Sequence, residues 1–512
     1  MWQDLVILIL SCMVADALWH DNLSAQFGLI DDHEVVEWLG AKNVVTLQDA
    51  KGIITSSEAF HPGTTSRYRP TYYILRTAEA YFWGGNPESW YQTRMVLFVL
   101  SLAIAWALTA RLGGLGVSTV FVLYALTAPY WGPIWAMLGP AETYACAGLA
   151  LYFLGFYKCW HAADDHWREG GWVLVFLGTL LSAGSKENFV LLIVPTLYLV
   201  WVQYRAGRIS KDHAIFPLLS IGFCLFVGIS VAQGNRLIKQ DIYAQPVDSG
   251  RLKPLHSELN LSNPALWIFL LILLASGVLL VVSQDKNSKE QVKRFFAKVM
   301  LMDLTLYLCY AALIVFYNGI WGMDSRYAFP GELILLAMAA YPLFLFLSTQ
   351  ELPGRSYVKY LRVCLVICGF LLVAYKGFGK NQQFAKINSS RTQALHQVIV
   401  RGKAAATEDA GAAIILYTNN LSDFEAIYAV RRYLVNAGVK NPVMVEKAPD
   451  YGMGGFSPEL APRLIKSLDG MVNGDSGFTP RNSLKENQFC YSIGFTAVPS
   501  SGKCKSLGKV TP

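Results

Sequence analysis

Long apolar runs alternate with short polar connections from residue 3 to residue 376. A helix that crosses a bilayer needs roughly 20 such residues. Runs of this kind lie near 3–20, 93–111, 116–138, 142–160, 171–184, 188–204, 214–233, 264–283, 299–318, 328–348 and 357–376, giving about eleven spans by that length criterion. The run 171–184 is short, and Pro129 and Pro133 interrupt 116–138. Beyond residue 376 the pattern changes. AAIILYT (412–418), NPVMVEK (441–447) and FCYSIGFTAV (489–498) read as strands. Ser422 or Asp423 opens a helix to Ala437, Gly438 stops it, and a second helix runs from Ser457 to Leu468. The expected fold is an all-α polytopic membrane bundle, 1–376, followed by a small soluble α/β domain, 377–512. GMGG (452–455) lacks the spacing and context of a dinucleotide fingerprint.

The first outer loop, 21–92, carries its own helices. Asp31 to Leu39 has helical spacing with apolar Val35, Val36 and Leu39. Pro70 to Trp83 reads as a second helix with proline at its start. Its aromatics (Tyr72, Tyr73, Tyr81, Phe82, Trp83) suit a membrane interface. Helices of this kind would roof a cavity in the bundle.

Composition narrows the class. Hydrophobic residues are 54% and charged residues 15%, against about 25% charged in soluble domains. Mean hydropathy is +0.35. The net charge of +7 does not point to nucleic acid, because no basic stripe is interleaved with aromatics. Lys and Arg concentrate instead in alternate short loops (Arg111; Lys158 and Arg168; Arg205, Arg208 and Lys211; Lys286 to Lys298; Arg355 to Arg362). Those loops are then cytoplasmic. The N-terminus lies inside, and the acidic loop, the loop 234–262 and the tail lie outside. Ala15-Asp16-Ala17 has the look of a cleavage site, but no Lys or Arg precedes the run, which favours an uncleaved anchor. Of nine cysteines, Cys12, Cys146, Cys159, Cys224, Cys309, Cys364 and Cys368 lie in or beside spans and read as small buried hydrophobes. Cys490 and Cys504 share the outer tail and are expected to form a disulfide.

Candidate chemistry clusters at the outer ends of spans. Asp31 and Asp32, in LIDDHEVVEWLG, either cap a helix or supply a general base for a hydroxyl. Adjacent helical positions point about 100° apart, so the two acids cannot serve one atom. His33 and Glu34 could assist, and a divalent cation on DDHE stays open, although the spacing is no metal signature and no metal site is assigned. Arg67, Arg69 and Arg76, in SRYRPTYYILR, either hold phosphate or snorkel to headgroups. Lys186 and Glu187 form an ion pair, or Lys186 binds phosphate. Glu142, in GPAETY, could pair with an arginine or line the cavity. Arg326 re-enters the membrane beside Asp324 and needs a partner there. It pairs with that aspartate or holds a lipid phosphate.

This order of motifs resembles the polytopic GT-C class of glycosyltransferases. In that class an acidic motif follows the first span, here Asp31-Asp32-His33-Glu34. An Arg-Pro-Leu-Tyr-like stretch corresponds to Arg69-Pro70-Thr71-Tyr72-Tyr73. A Gly-Pro-x-Glu turn corresponds to Gly139, Pro140 and Glu142, a Lys-Glu turn to Lys186-Glu187, and an Arg-Tyr-x-x-Pro entry to Arg326, Tyr327 and Pro330. The resemblance implies a bacterial inner-membrane enzyme that moves a sugar from a polyprenyl-phosphate donor to a hydroxyl of a glycan, lipid or protein acceptor on the outer face. It implies inversion with an aspartate base, donor phosphate held by Arg326, Lys186 and Arg69, and no required cofactor. The tail would bind acceptor or shield the site. The competing readings are a lipid-linked glycan transporter or flippase, which predicts ionisable residues deep within spans, and an oligosaccharide polymerase or ligase.

Overall fold

The computed structural model describes residues 2–65, 67–161, 165–208, 214–237, 286–317, 326, 329–348, 355–452, 461–484, 488–495 and 504–510. Helix α1, Trp2–Trp19, leads through a 3-10 turn, His20–Ser24, into the outer loop. That loop holds α2 (Asp32–Leu39), α3 (Leu47–Ser56) and α4 (Pro70–Trp83). Proline at the first position of α4 needs no hydrogen-bonded N–H there. The bundle continues with α5 (Pro87–Gly113), α6 (Leu115–Leu126), the short α7 (Trp131–Trp135), α8 (Glu142–His161), α9 (Asp165–Ser185), α10 (Ile193–Arg205) and α11 (Ile215–Leu237). It closes with α12 (Lys286–Tyr317), α13 (Phe329–Ser348) and α14 (Arg355–Lys376).

Among the described residues, four helical segments are long and apolar enough to cross a membrane: Trp2–Ser24, Pro87–Gly113, Glu187–Arg205 and Ile215–Gly234. The expected runs 142–160, 171–184 and 357–376 fall within α8, α9 and α14, α13 takes up 329–348 of the run 328–348, and 264–283 lies outside the described residues. The run 116–138 is not one span. Helix α6 stops at Leu126, and α7 starts only at Trp131. Pro129 between them disfavours helix in the residue before it and cannot donate to a preceding turn. Helices α8 and α9 lie backbone to backbone, since a Cβ on Gly178 would stand 2.4 Å from the Tyr152 nitrogen. Cys12, Cys364 and Cys368 are exposed on their helices rather than buried as expected. A cysteine on an apolar helix face can meet lipid as readily as protein, so the apolar run alone does not decide its burial.

A thirty-residue helix, α15 (Gly379–Glu408), joins the bundle to the tail. Its first turns satisfy carbonyls freed by the break after α6: the Asn381 amide donates to the Leu126 and Ala128 oxygens at 2.9 and 3.1 Å. Further along, Asn388 donates to the Ala136 oxygen at 2.6 Å. Its last turns bury Leu395, Val398, Ile399 and Ala405 in the core of the tail. The tail comprises β1 (Ala413–Asn420), α16 (Phe424–Asn436), β2 (Val443–Gly452), α17 (Ala461–Val472), β3 (Cys490–Gly494) and β4 (Lys505–Lys509). The four strands run parallel in the order β2-β1-β3-β4. Gly438 ends α16 with φ of +86°, as a C-terminal glycine does. Strand β4, KSLGK, has no apolar run and is not visible in the sequence. Cys490 and Cys504 form the expected disulfide, tying the start of β3 to the residue before β4.

Candidate active site

The two aspartates at the start of α2 do different things. Asp31 occupies the N-cap position but makes no side-chain cap. Its backbone sits at φ of +66°, a left-handed conformation that is uncommon for residues other than glycine. The carboxylate turns away from the helix, and its Oδ2 accepts a hydrogen bond from Arg326 Nη1 at 3.0 Å. Gly139, in the turn before α8, makes room for it: a Cβ there would lie 2.3 Å from the Asp31 Cβ. Burial, the largest effect, would raise the Asp31 pKa, but Arg326 foremost, together with Arg69 and Arg76, more than offsets it, so the carboxyl titrates below the usual range. The side chains of Asp31 and Arg326 remain 31% and 21% exposed, so the pair is open to solvent.

Asp32 is locked away. Its Oδ1 accepts from Arg76 Nη2 at 2.9 Å and its Oδ2 from the Gly28 N–H at 2.7 Å. Arg76 also donates to the Leu138 oxygen at 2.6 Å and lies over the Trp90 ring at 4.9 Å. Both side chains are buried, at 2% and 1% exposure. Burial lifts the Asp32 pKa to about 6, against the pull of Arg76. Arg76 is therefore neither a snorkelling residue nor a phosphate ligand, but the counter-ion of a buried carboxylate. A neighbouring pair unseen in the sequence extends this layer. Arg94 makes two 2.8 Å bonds to Glu79, and Tyr144 donates to the same carboxylate at 2.6 Å.

His33 is buried, with its ring edge toward Tyr428 of α16. Desolvation, then the charge of Arg432, lowers its pKa to about 4, so it is neutral at physiological pH. Glu34 is partly buried, and desolvation with the adjacent Asp31 raises its pKa. Arg69 bonds Glu58 through its backbone N–H (3.0 Å) and its guanidinium (3.4 Å), which lies 5.1 Å from the Tyr72 ring. Tyr72 donates to the Gly139 oxygen at 3.1 Å. Arg67 is half-buried, and its charge bears on Glu425 of the tail.

Lys186 pairs with Glu142, at 2.8 Å, rather than with its neighbour Glu187. Lysine Nζ reaches across the gap between α9 and α8, whereas the buried Glu187 opens the 3-10 helix Glu187–Leu192 and lies in the field of Arg69. Glu142 likewise takes a lysine and not an arginine. Arg326 pairs with Asp31, 295 positions away. Asp324, Tyr327 and residues 453–455 of GMGG lie outside the described residues, while Gly452 ends β2. The structure thus gathers Asp31, Glu34, Arg67, Arg326 and, unexpectedly, Glu425 into one electrostatic neighbourhood. Among the described residues no group of three or more His, Cys, Asp or Glu side chains is disposed to hold a metal ion.

Chemically, the site offers an accessible carboxylate whose cationic partner an incoming phosphate could take. No protein-family model and no curated protein matches the chain. Among solved structures it is similar to the apo-state crystal structure of ArnT from Cupriavidus metallidurans, at 12% identity over 94% of this chain and 89% of that one, with a TM-score of 0.44.

Proposed function

We propose that this protein is a bacterial inner-membrane glycosyltransferase that moves a sugar from a polyprenyl-phosphate donor to a hydroxyl acceptor on the outer face. The observation that carries this reading is the Asp31–Arg326 pair, a reachable carboxylate held by a reachable guanidinium. Arginine binds phosphate oxygens at least as well as carboxylate oxygens. A donor phosphate arriving at Arg326 displaces Asp31 from it. Asp31 then loses the charge that held its pKa down, and its affinity for a proton rises. Donor binding in this way switches on the base. The acceptor oxygen attacks the anomeric carbon, and its proton passes to Asp31. The bond from that carbon to the phosphate oxygen breaks, its electron pair stays on the phosphate, and the configuration inverts. Arg326 stabilises the charge that develops on the leaving phosphate. Lys186 adds to the positive field from across the Glu142 pair.

A transporter would use the same cations. The exchangeable Asp31–Arg326 pair lies at the start of α2 in the outer loop, while one acid, Asp303, is buried within the apolar part of α12. The test is binding of undecaprenyl phosphate to the purified chain in nanodiscs, read by native mass spectrometry. Wild type should retain the lipid, Arg326→Ala should lose most of it, and Asp31→Asn should bind it more tightly, because the competitor for Arg326 is gone. Equal retention by all three would rule the exchange out.

A further inference from the structure

The tail is not suspended from the bundle by a linker alone. Helix α16 seats on α2 through several independent contacts. Arg432 pairs with Glu37 at 2.9 Å. Tyr433 donates to the Gly28 oxygen at 2.6 Å. Tyr428 meets the edge of His33. Leu29 and Val36, from the outer loop, are buried in the same core as Ile414, Leu416 and Val430 of the tail. This interface fixes the first turn of α16, with Glu425 in it, against the reactive end of α2.

Glu425 plays no part in holding that interface. It is half-buried and makes no hydrogen bond or ion pair among the described residues. The charges that act on it come from three other segments: Asp31 and Glu34 from α2, Arg67 from the stretch before α4, and Arg326 from the entry to α13. Burial first, and then the Asp31 charge, lifts its pKa to about 7. A partly buried carboxyl with no hydrogen bond of its own is unfavourable for folding, which marks the position as one that serves a ligand rather than the seating of the domain.

We infer that Glu425 is an acceptor-binding residue, which accepts a hydrogen bond from the acceptor polyol and holds its reacting hydroxyl beside Asp31, so that the soluble domain forms one wall of the acceptor site. The inference rests on the glycosyltransferase reading above. The ionised form is the one that accepts the hydrogen bond while leaving the nucleophile's proton to Asp31. Activity that depends on it therefore falls as the outer pH drops through about 7. His33, neutral above about pH 4, does not contribute to that limb. The Arg432–Glu37 pair holds the interface in place.

The test pairs binding with turnover. Native mass spectrometry with undecaprenyl phosphate reports donor binding by wild type, Glu425→Ala, Glu425→Gln and Glu425→Asp. Pulse-labelling of envelope glycan in a deletion strain complemented with each, in media at pH 6 and pH 8, reports transfer. An acid of pKa about 7 is roughly tenfold less ionised at the lower pH, so wild-type labelling should fall by up to that factor. Glu425→Asp should keep the pH dependence. Glu425→Ala and Glu425→Gln should bind the lipid as wild type does, label at least tenfold more slowly at pH 8, and show a flattened pH response. Wild-type labelling by Glu425→Ala, where Asp31→Asn is silent, would overturn the role. Loss of lipid binding in Glu425→Ala would overturn it too, in favour of a structural role. If wild type itself fails to bind the lipid, and Asp31→Asn labels normally, the underlying reading falls with it.

Discussion

Replacing each aspartate at the start of α2 in turn should separate stability from activity. Asp32→Ala leaves Arg76 in place, buried at 1% exposure, with the Leu138 carbonyl, the Trp90 face and the more distant charges of Glu79 and Asp31 in place of its direct ion pair. Breaking a buried pair by removing one partner costs about 3–5 kcal/mol. At about 1.4 kcal/mol per decade, the folded-to-unfolded ratio falls by roughly two to three and a half decades. Asp31→Asn is different. Its pair is partly exposed, at 31% and 21%, a setting in which ion pairs contribute about 0–1 kcal/mol. Asparagine also tolerates the positive φ of +66° better than most residues. The expected loss there is below about 1 kcal/mol. Thermal unfolding followed by fluorescence-detected size exclusion in detergent reads both. Asp32→Ala should fail early in the ramp, and Asp31→Asn should track wild type. The double variant Asp32→Leu/Arg76→Met, which replaces the pair by apolar groups of similar bulk, should recover most of the loss. A stable Asp32→Ala, or an Asp31→Asn that unfolds like it, would refute the division of labour between the two acids.

Further expectations follow from the same geometry. Gly139→Ala should destabilise the site by at least about 1 kcal/mol, because its methyl would lie 2.3 Å from the Asp31 Cβ; the same thermal ramp measures it. Cys490→Ser/Cys504→Ser opens a 14-residue separation, at a cost of about 3 kcal/mol in the chain-entropy view. Limited proteolysis should then cut the tail while sparing the bundle. Lys186→Met strands Glu142 in a buried position and should cost about 3–5 kcal/mol, whereas Lys186→Met/Glu142→Leu should restore expression without restoring transfer. His33→Gln should leave the pH response of transfer in place, since His33 is already neutral; loss of the limb in that variant would assign it to the histidine.

Helices α2 and α4 were legible because local chemistry marks them. Acids precede an apolar stripe in one case, and Pro70 opens the other. The tail's first three strands and Gly438 were legible for the same reason, and β4 was not, because a Lys- and Gly-rich segment becomes a strand only by pairing with β3. The acidic motif could be located but not divided. Which of Asp31 and Asp32 sits in the exposed pair and which in the buried one depends on Arg326, 295 positions from Asp31, and on Arg76, 44 positions from Asp32. Local spacing encodes neither. Lys186 points the same lesson. Its sequence neighbour Glu187 is the obvious partner, yet Glu142 takes it, because side-chain reach in three dimensions decides such pairs. Glu425 was invisible for a stronger reason. Its role exists only once α16 docks on α2, and nothing in the tail's own sequence refers to the loop it meets.

The most direct test of the central claim is mass spectrometry of envelope glycans and of polyprenyl-phosphate sugars. The comparison is a deletion strain complemented with wild type, Asp31→Asn or Asp32→Asn at matched protein level. The account predicts that Asp31→Asn loses one sugar from a glycan, lipid or protein while the corresponding polyprenyl-phosphate sugar accumulates. Asp32→Asn should keep the modification in proportion to the protein that folds. An unchanged glycan and donor pool in Asp31→Asn would contradict sugar transfer at this site and leave the lipid-linked glycan transporter as the reading to pursue.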